Sequence, residues 1–437
     1  MSNDAATLLW APAAWLDGRW HESVLLAADG AGRWSALEPG RAAPPEATAL
    51  PGPVLPGLVN AHSHAFQRAF AGRAERRTGT HDDFWSWRER MYGVALTITP
   101  EELRGVATQL YRELLAGGCT QVCEFHYLHH AEDGSRYADP LAMSRALADA
   151  AATAGIGLTL LPALYERAGF AQAALRPEQR RFATMPADVL ALRAGIRGWQ
   201  APLVNAGVAI HSLRAATPAS MHALVAALGD DDAPIHIHIA EQTGEVDDCL
   251  ASTGARPIEW LARAFALDAR WQLVHATHAS AGEIQAVAAG GAGIVICPST
   301  EANLGDGLPD LPRWLAAGVP LAIGSDSQVC RSAAQELRWL EYAQRLALRR
   351  RNVAADPERF AGSSGARLFE ACLAGGGAAA GFRRWGLVAG ARADLLVLDS
   401  AAPGLQGAAP ADTLDAWIFA ADAPAIAQTW VAGRRVR

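Results

Sequence analysis

Pro56-Gly57-Leu58-Val59-Asn60-Ala61-His62-Ser63-His64 is an apolar run that ends in two histidines separated by one residue. Side chains two apart on a strand project to the same side, so His62 and His64 can aim at one point in space. Two imidazoles on one point suggest a metal ion. A surface or core position is the commoner fate of such a pair, so the reading depends on whether the rest of the chain supplies further ligands.

Outward from this stretch, short β-branched apolar runs alternate with Ala/Leu/Arg-rich helical stretches, which is the pattern of βα units around a parallel sheet. Eight strands are expected: Gly57 to His62, Thr120 to Phe125, Ile156 to Pro162, Gly207 to His211, Ile235 to Ala240, Gln272 to Ala276, Gly293 to Cys297 and Pro320 to Asp326. Helices are expected at Pro100 to Ala116, Leu141 to Ala154, Met221 to Leu228, Ala255 to Phe265, Ala281 to Ala289 and Ala333 to Arg350. The fold class is therefore α/β, a distorted (β/α)8 TIM barrel with its active site at the C-terminal ends of the strands.

Both ends of the chain read differently. Short strands are expected at Leu8 to Trp10, Trp15 to Trp20, Val24 to Ala27 and Trp34 to Leu37, and again at Gly386 to Gly390, Ala393 to Leu398 and Thr429 to Gly433. Termini of a domain often lie close together, so these pieces predict one small β-sandwich domain. The resulting division is residues 1–55 and 381–437 for the two parts of that domain and 56–380 for the barrel. The glycine-rich Gly375 to Gly381 segment is expected to be a flexible loop between the two.

Composition narrows the function. With 437 residues, 51% of them hydrophobic, the chain can bury a large core. A formal net charge of −7 without a basic stripe argues against nucleic acid as a partner, and Arg349-Arg350-Arg351 reads as a solvated helix end. No run of about 20 apolar residues suits a membrane and the start lacks a targeting pattern, so a soluble cytoplasmic protein is expected. Six scattered cysteines without a C-x-x-C fit reduced thiols. All 38 basic residues counted as Lys or Arg are Arg. A chain without lysine forms no Schiff base, completes no Walker A loop and bridges no metal pair with a carboxylated lysine, so any metal site should be mononuclear.

The predicted strand ends carry His62 with His64 just beyond, His126, His211, His238, His275 and Asp326. In Ile235-His236-Ile237-His238-Ile239 the isoleucines take one face and the histidines the other. His238, nearer the C-terminal end, is the better ligand, and His236 should form a hydrogen-bonded layer deeper in the barrel. His21, His81, His222 and His278 read as surface or supporting groups. His62, His64, His238 and Asp326 make a donor set suited to one Zn²⁺ with a position open for water, whose pKa falls to about 7 on the ion. Glu241, three residues past His238, can carry a proton between that water and a leaving nitrogen, while His275 accepts a proton or stabilises developing charge together with Asp326. A helix-start role is the alternative for Glu241.

This arrangement of H-x-H on the first strand, His on the fifth, His on the sixth and Asp on the eighth resembles the amidohydrolase superfamily over nearly the whole chain. The stretches PGLVNAHSHAFQRAF (56–70), FWSWRERM (84–91), EFHYLHH (124–130), HSLR (211–214), HIAEQTGE (238–245), STEANLGDG (299–307) and ELRWLEYAQRL (336–346) look like those of the formimidoylglutamate deiminase family. The resemblance implies hydrolysis of N-formimino-L-glutamate to N-formyl-L-glutamate and ammonia in histidine degradation. It also implies a substrate shell of Gln67, Arg88, Tyr127, His211 and Arg214, and a homodimer. Two carboxylates on the substrate call for planar, bidentate arginines, which Arg88 and Arg214 would supply. The other reading of Arg88 is a surface ion pair with Glu89 or Glu101.

One position departs from the pattern. After the eighth strand the chain has Gln328 where related deiminases usually carry His, which leaves fine substrate preference or a nearby contact open. Competing readings are a mononuclear deaminase of another amidine-bearing or guanidino acid, or of a heterocycle, and a catalytically silent zinc-binding barrel. A ring substrate would ask for aromatic walls and amide contacts, and a silent barrel would lack Glu241 or His275.

Overall fold

The computed structural model describes residues 7–77, 82–422 and 425–437. At its centre eight parallel strands follow one another around a barrel: Leu58–Ser63, Cys119–His126, Gly157–Leu164, Val208–Ser212, Ile235–Ile239, Trp271–His275, Gly293–Ile296 and Leu321–Ile323. Every expected barrel strand is present. The first and last meet only through a bridge between Ser63 and Asp326, with Asp326 N donating to His62 O at 3.0 Å and His64 N to Asp326 O at 3.2 Å. Packing on both faces explains the near-continuous apolar runs; every residue of Cys119–His126 and Gly157–Leu164 is buried.

The helices between strands arise from local signals that the sequence states openly. Pro100–Ala116 begins with Thr99 and Glu102 in a reciprocal capping box and Pro at its first turn, and buries Leu103, Ala107, Leu110, Tyr111 and Leu114 on one side. Ala142–Ala154, Pro218–Leu228, Pro257–Ala264, Ala281–Gly290 and Ala333–Leu348 also match expectation within a few residues. The helices Phe84–Ala95, Pro186–Arg197 and Thr243–Thr253 were not anticipated. The six cysteines are buried and unpaired.

Strands from both termini form a separate sheet. Thr7–Leu16 pairs with Arg19–Ala28, which pairs with Trp34–Glu38, and Val54–Leu55 joins this group to Leu395–Leu398 and Ile426–Val431. Two expectations are corrected here. The strand expected from Trp15 to Trp20 is broken by a two-residue turn at Asp17-Gly18, both at positive φ (49° and 75°), the backbone that an Asp-Gly hairpin supplies. Gly386 to Gly390 is no strand, because Gly386 and Gly390 turn the chain at φ of 103° and 83°.

A larger correction concerns Gly375 to Gly381. Most of it is the buried C-terminal half of a helix, Ser364–Ala379, that closes the barrel floor. A Cβ on Gly375 would lie 2.1 Å from the Leu321 carbonyl oxygen, and one on Gly377 2.5 Å from Trp385 Cβ. Glycine is used here for close approach of helix to strand, so packing outweighs its poor helix propensity.

Candidate metal centre and active site

The strand ends bring His62, His64, His238 and Asp326 together. The three Nε2 atoms lie 3.0 to 3.3 Å from one another, and Asp326 Oδ1 is 3.4 Å from those of His62 and His64. Nδ1 of His64 is 2.9 Å from Phe125 O and Nδ1 of His238 is 2.8 Å from His211 O. A carbonyl only accepts, so both Nδ1 atoms carry the proton and both Nε2 atoms present lone pairs. Burial holds all three imidazoles below the usual histidine range, with neighbouring histidines adding to the effect at His62 and His238. Lone pairs facing one another and a carboxylate repel unless a cation lies among them, so the donor set fits a metal ion.

Glu241 and His275 flank this cluster. His275 Nε2 is 3.8 Å from both Glu241 Oε1 and Asp326 Oδ2, and its Nδ1 is 3.2 Å from Glu301 Oε1. Burial raises the Glu241 carboxyl to about 7, with His275 opposing and Asp326 reinforcing the rise. Burial would lower His275, but Glu241, Glu301 and Asp326 together outweigh it and raise the imidazole. The backbone is strained here: Ala240, His275, Ala276, Asp326 and Gln328 all sit at φ between 48° and 69°. Each such non-glycine residue costs on the order of 1 kcal/mol, the kind of strain that accumulates where side chains are aimed for function.

A cavity above the cluster is lined by every expected substrate-shell residue: Gln67, Arg88, Tyr127, His211 and Arg214. Gln67 Nε2 donates to the Tyr127 hydroxyl at 3.2 Å and its Oε1 has no partner among the described residues. Arg88 comes from the helix Phe84–Ala95 and Arg214 from the turn after the fourth strand, and both guanidiniums lie over Trp85, at 4.5 and 5.6 Å from its ring centre. No ion pair to Glu89 or Glu101 forms among the described residues; Glu89 pairs instead with Arg176 at 3.0 Å. Burial lowers the Arg88 guanidinium, and the charges of Arg176 and Arg214 push the same way. Glu241 and Asp326 also line the cavity, but neither Arg88 nor Arg214 forms an ion pair with a carboxylate among the described residues, and two such arginines at one cavity suit an anion.

Of the other histidines, His236 donates from Nε2 to Ala379 O at 2.8 Å deep in the barrel, as expected. His126 ends the second strand but packs on His129, with ring centres 4.8 Å apart, and does not line the cavity. His21 accepts from Arg19, His222 stacks on Phe265 and His278 donates to Asp306 O. His81 lies outside the described residues. Sequence reasoning missed Glu301, although STEANLGDG contains it, and it missed Tyr92 and Tyr165, which also line the cavity. Tyr165 directly follows the third strand, as Tyr127 follows the second, and that repeated position was a usable signal. Gln328 is not at the cavity; it is fully buried beneath Asp326.

Residues 54–436 match the amidohydrolase family. Over 392 residues the chain is 49% identical to a formimidoylglutamate deiminase of Pseudomonas aeruginosa, covering 89% of this chain and 85% of that protein. Among solved structures, an amidohydrolase from Brucella melitensis superposes with a TM-score of 0.92 at 44% identity, covering 98% of this chain and 94% of that one. A zinc-bound adenosine deaminase from Xanthomonas campestris shares the fold, with a TM-score of 0.79 at 23% identity over 98% of this chain and 92% of its own. No described helix is long and apolar enough to cross a membrane. With its strand order, its converging histidines and these likenesses, the chain belongs to the amidohydrolase family, on the branch of the formimidoylglutamate deiminases.

Proposed function

We propose that the protein hydrolyses N-formimino-L-glutamate to N-formyl-L-glutamate and ammonia and so serves histidine degradation, a reading supported by its likeness to a Pseudomonas aeruginosa protein named formimidoylglutamate deiminase. The observation that carries the reading is the pairing of a lone-pair cluster with two arginines that form no ion pair among the described residues, across one cavity. One Zn²⁺ per subunit, held by His62, His64, His238 and Asp326, would supply a water activated at neutral pH.

The chain's own residues do the rest. Arg88 and Arg214 bind the two carboxylates, with Tyr127, Gln67 and His211 fixing the chain between them, so that the formimino carbon sits over the cluster. Asp326 and His275 orient the attacking water. Glu241 accepts its proton and returns it to the nitrogen that departs as ammonia, leaving the formyl C=O. A carboxyl raised toward neutrality suits both halves of that transfer.

The test is ammonia release from N-formimino-L-glutamate against its guanidino and N-formimino-aspartate analogues, with metal analysis of the same protein. Preference for the glutamate compound and one zinc per chain are expected; equal turnover of the analogues, or of a heterocycle, would overturn the assignment. A cytoplasmic homodimer completes the proposal. Trp339, Tyr342 and Leu346 stand exposed along one side of Ala333–Leu348, which suits a subunit contact, and sedimentation at several concentrations tests it.

A further inference from the structure

We infer that Gln328 is a positioning residue for Asp326, the lock that holds this carboxylate at the seam where the eighth strand meets the first. The inference rests on the proposed metal site. Gln328 has no exposed surface and sits at φ 68°, and its side chain makes three hydrogen bonds. Its Nε2 donates to Asp326 O at 2.7 Å and to Ser63 Oγ at 3.0 Å, while its Oε1 accepts from Ser325 Oγ at 2.8 Å. Ser325 is tied in turn to the first strand, with Asn60 Nδ2 donating to its Oγ at 2.7 Å and its N donating to Asn60 Oδ1 at 2.8 Å.

This seam needs such a device. Elsewhere in the barrel, neighbouring strands share ladders of two or more residue pairs, but these two meet through a single bridge at Ser63 and Asp326, beside His62 and His64. Asp326 is also held at φ 48°, in the left-handed region that few non-glycine residues occupy. The amide of Gln328 closes both gaps at once, because one terminal group offers two N–H donors and an acceptor.

No other side chain of similar size does this. A neutral imidazole has one N–H and one lone pair, so histidine can replace at most two of the three bonds. An ionised glutamate has the same shape but no donor, and would set its oxygens against the Asp326 carbonyl. Gln328 does not line the substrate cavity, so its influence runs through the ligand set rather than through substrate contact.

The experiment compares wild type with Q328E, Q328H and S63A by zinc retention against a competing chelator, by the visible spectrum of the Co²⁺-substituted proteins, and by kcat and KM. Q328E is expected to lose zinc roughly 10–100-fold more readily and to shift the Co²⁺ bands, with Q328H intermediate and KM unchanged. S63A removes the Gln328 bond to Ser63, together with the hydrogen bond Ser63 makes to the buried Glu124, with little change of volume, and a smaller shift in the same direction from it decides the case if Q328E does not fold. Unchanged zinc retention and spectra would overturn the inference, as would a raised KM with zinc retention intact, which would make Gln328 a substrate contact. A wild type that holds no zinc overturns it together with the metal reading. A wild type that holds zinc but ignores formiminoglutamate removes only the proposed substrate, and the zinc and Co²⁺ comparison still decides the role of Gln328.

Discussion

His236 and His238 share one strand and one face, two residues apart, yet their surroundings are opposite. His236 faces the barrel floor, where the helix Ser364–Ala379 offers it the Ala379 carbonyl, and Thr159 and Asn205 donate to Ala380 O beside it. His238 faces the mouth, where its Nε2 meets those of His62 and His64. At the floor, donors meet acceptors and the histidine is part of the packing. At the mouth, acceptors meet acceptors, and the arrangement persists because the surrounding barrel fixes it until a cation and substrate arrive. One strand thus carries a packing histidine and a proposed metal ligand, and depth separates the two.

That contrast breaks first at the mouth. Glu241→Gln keeps the shape of the site and should retain its zinc, yet lower kcat by roughly 10²–10⁴-fold, the usual worth of a positioned proton carrier. Turnover of N-formimino-L-glutamate at the wild-type rate by zinc-loaded E241Q would remove Glu241 from the reaction. Arg214→Met should act further out, raising KM roughly 10–100-fold as one charge-assisted contact to a carboxylate is lost, with zinc content unchanged. A wild-type KM would take Arg214 out of the substrate shell.

The floor should answer differently. Gly375→Ala places a methyl group against the Leu321 carbonyl, so it should cost about 1–3 kcal/mol or more of stability, read as a lower Tm. The fraction that folds should keep its kcat, since the floor touches neither the cavity nor the cluster. A normal Tm would mean that the helix can withdraw from the strand without loss.

The barrel was legible because its signals are repetitive: eight apolar runs between capped helices leave few other topologies. The convergence of His62, His64 and His238 was legible because histidine is scarce in this chain and these three fall at or just past strand ends. What stayed hidden depends on contacts between distant segments. Nothing local marks Gly375-Gly376-Gly377 as helix, since the reason for three glycines is the strand they press against. Asp17-Gly18 was a readable turn signal, masked by the apolar residues on either side of it. Gln328 left substrate preference or a contact near the site open, because the pattern shows only which residue departs. Its partners, Ser63 and Ser325, show that the departure lies beneath the site.

The smallest expected effect tests the floor histidine by itself. Burial lowers His236 from 6.5 to about 4, with the Ala379 hydrogen bond opposing the shift. Between those values the unfolded chain binds a proton that the native protein refuses, so native stability is complete above pH 6.5 and falls as pH drops toward about 4. The loss from this one group is at most about 3 kcal/mol. His236→Gln keeps a donor near Ala379 O but does not titrate. Denaturant unfolding of the zinc-free proteins at intervals from pH 7 to about 4 should therefore give a shallower decline for the variant. The other buried histidines titrate alike in both proteins and cancel from the difference. Parallel stability curves would mean that His236 binds its proton as readily in the native state as in the unfolded chain, and burial at the floor would then not exclude the charge.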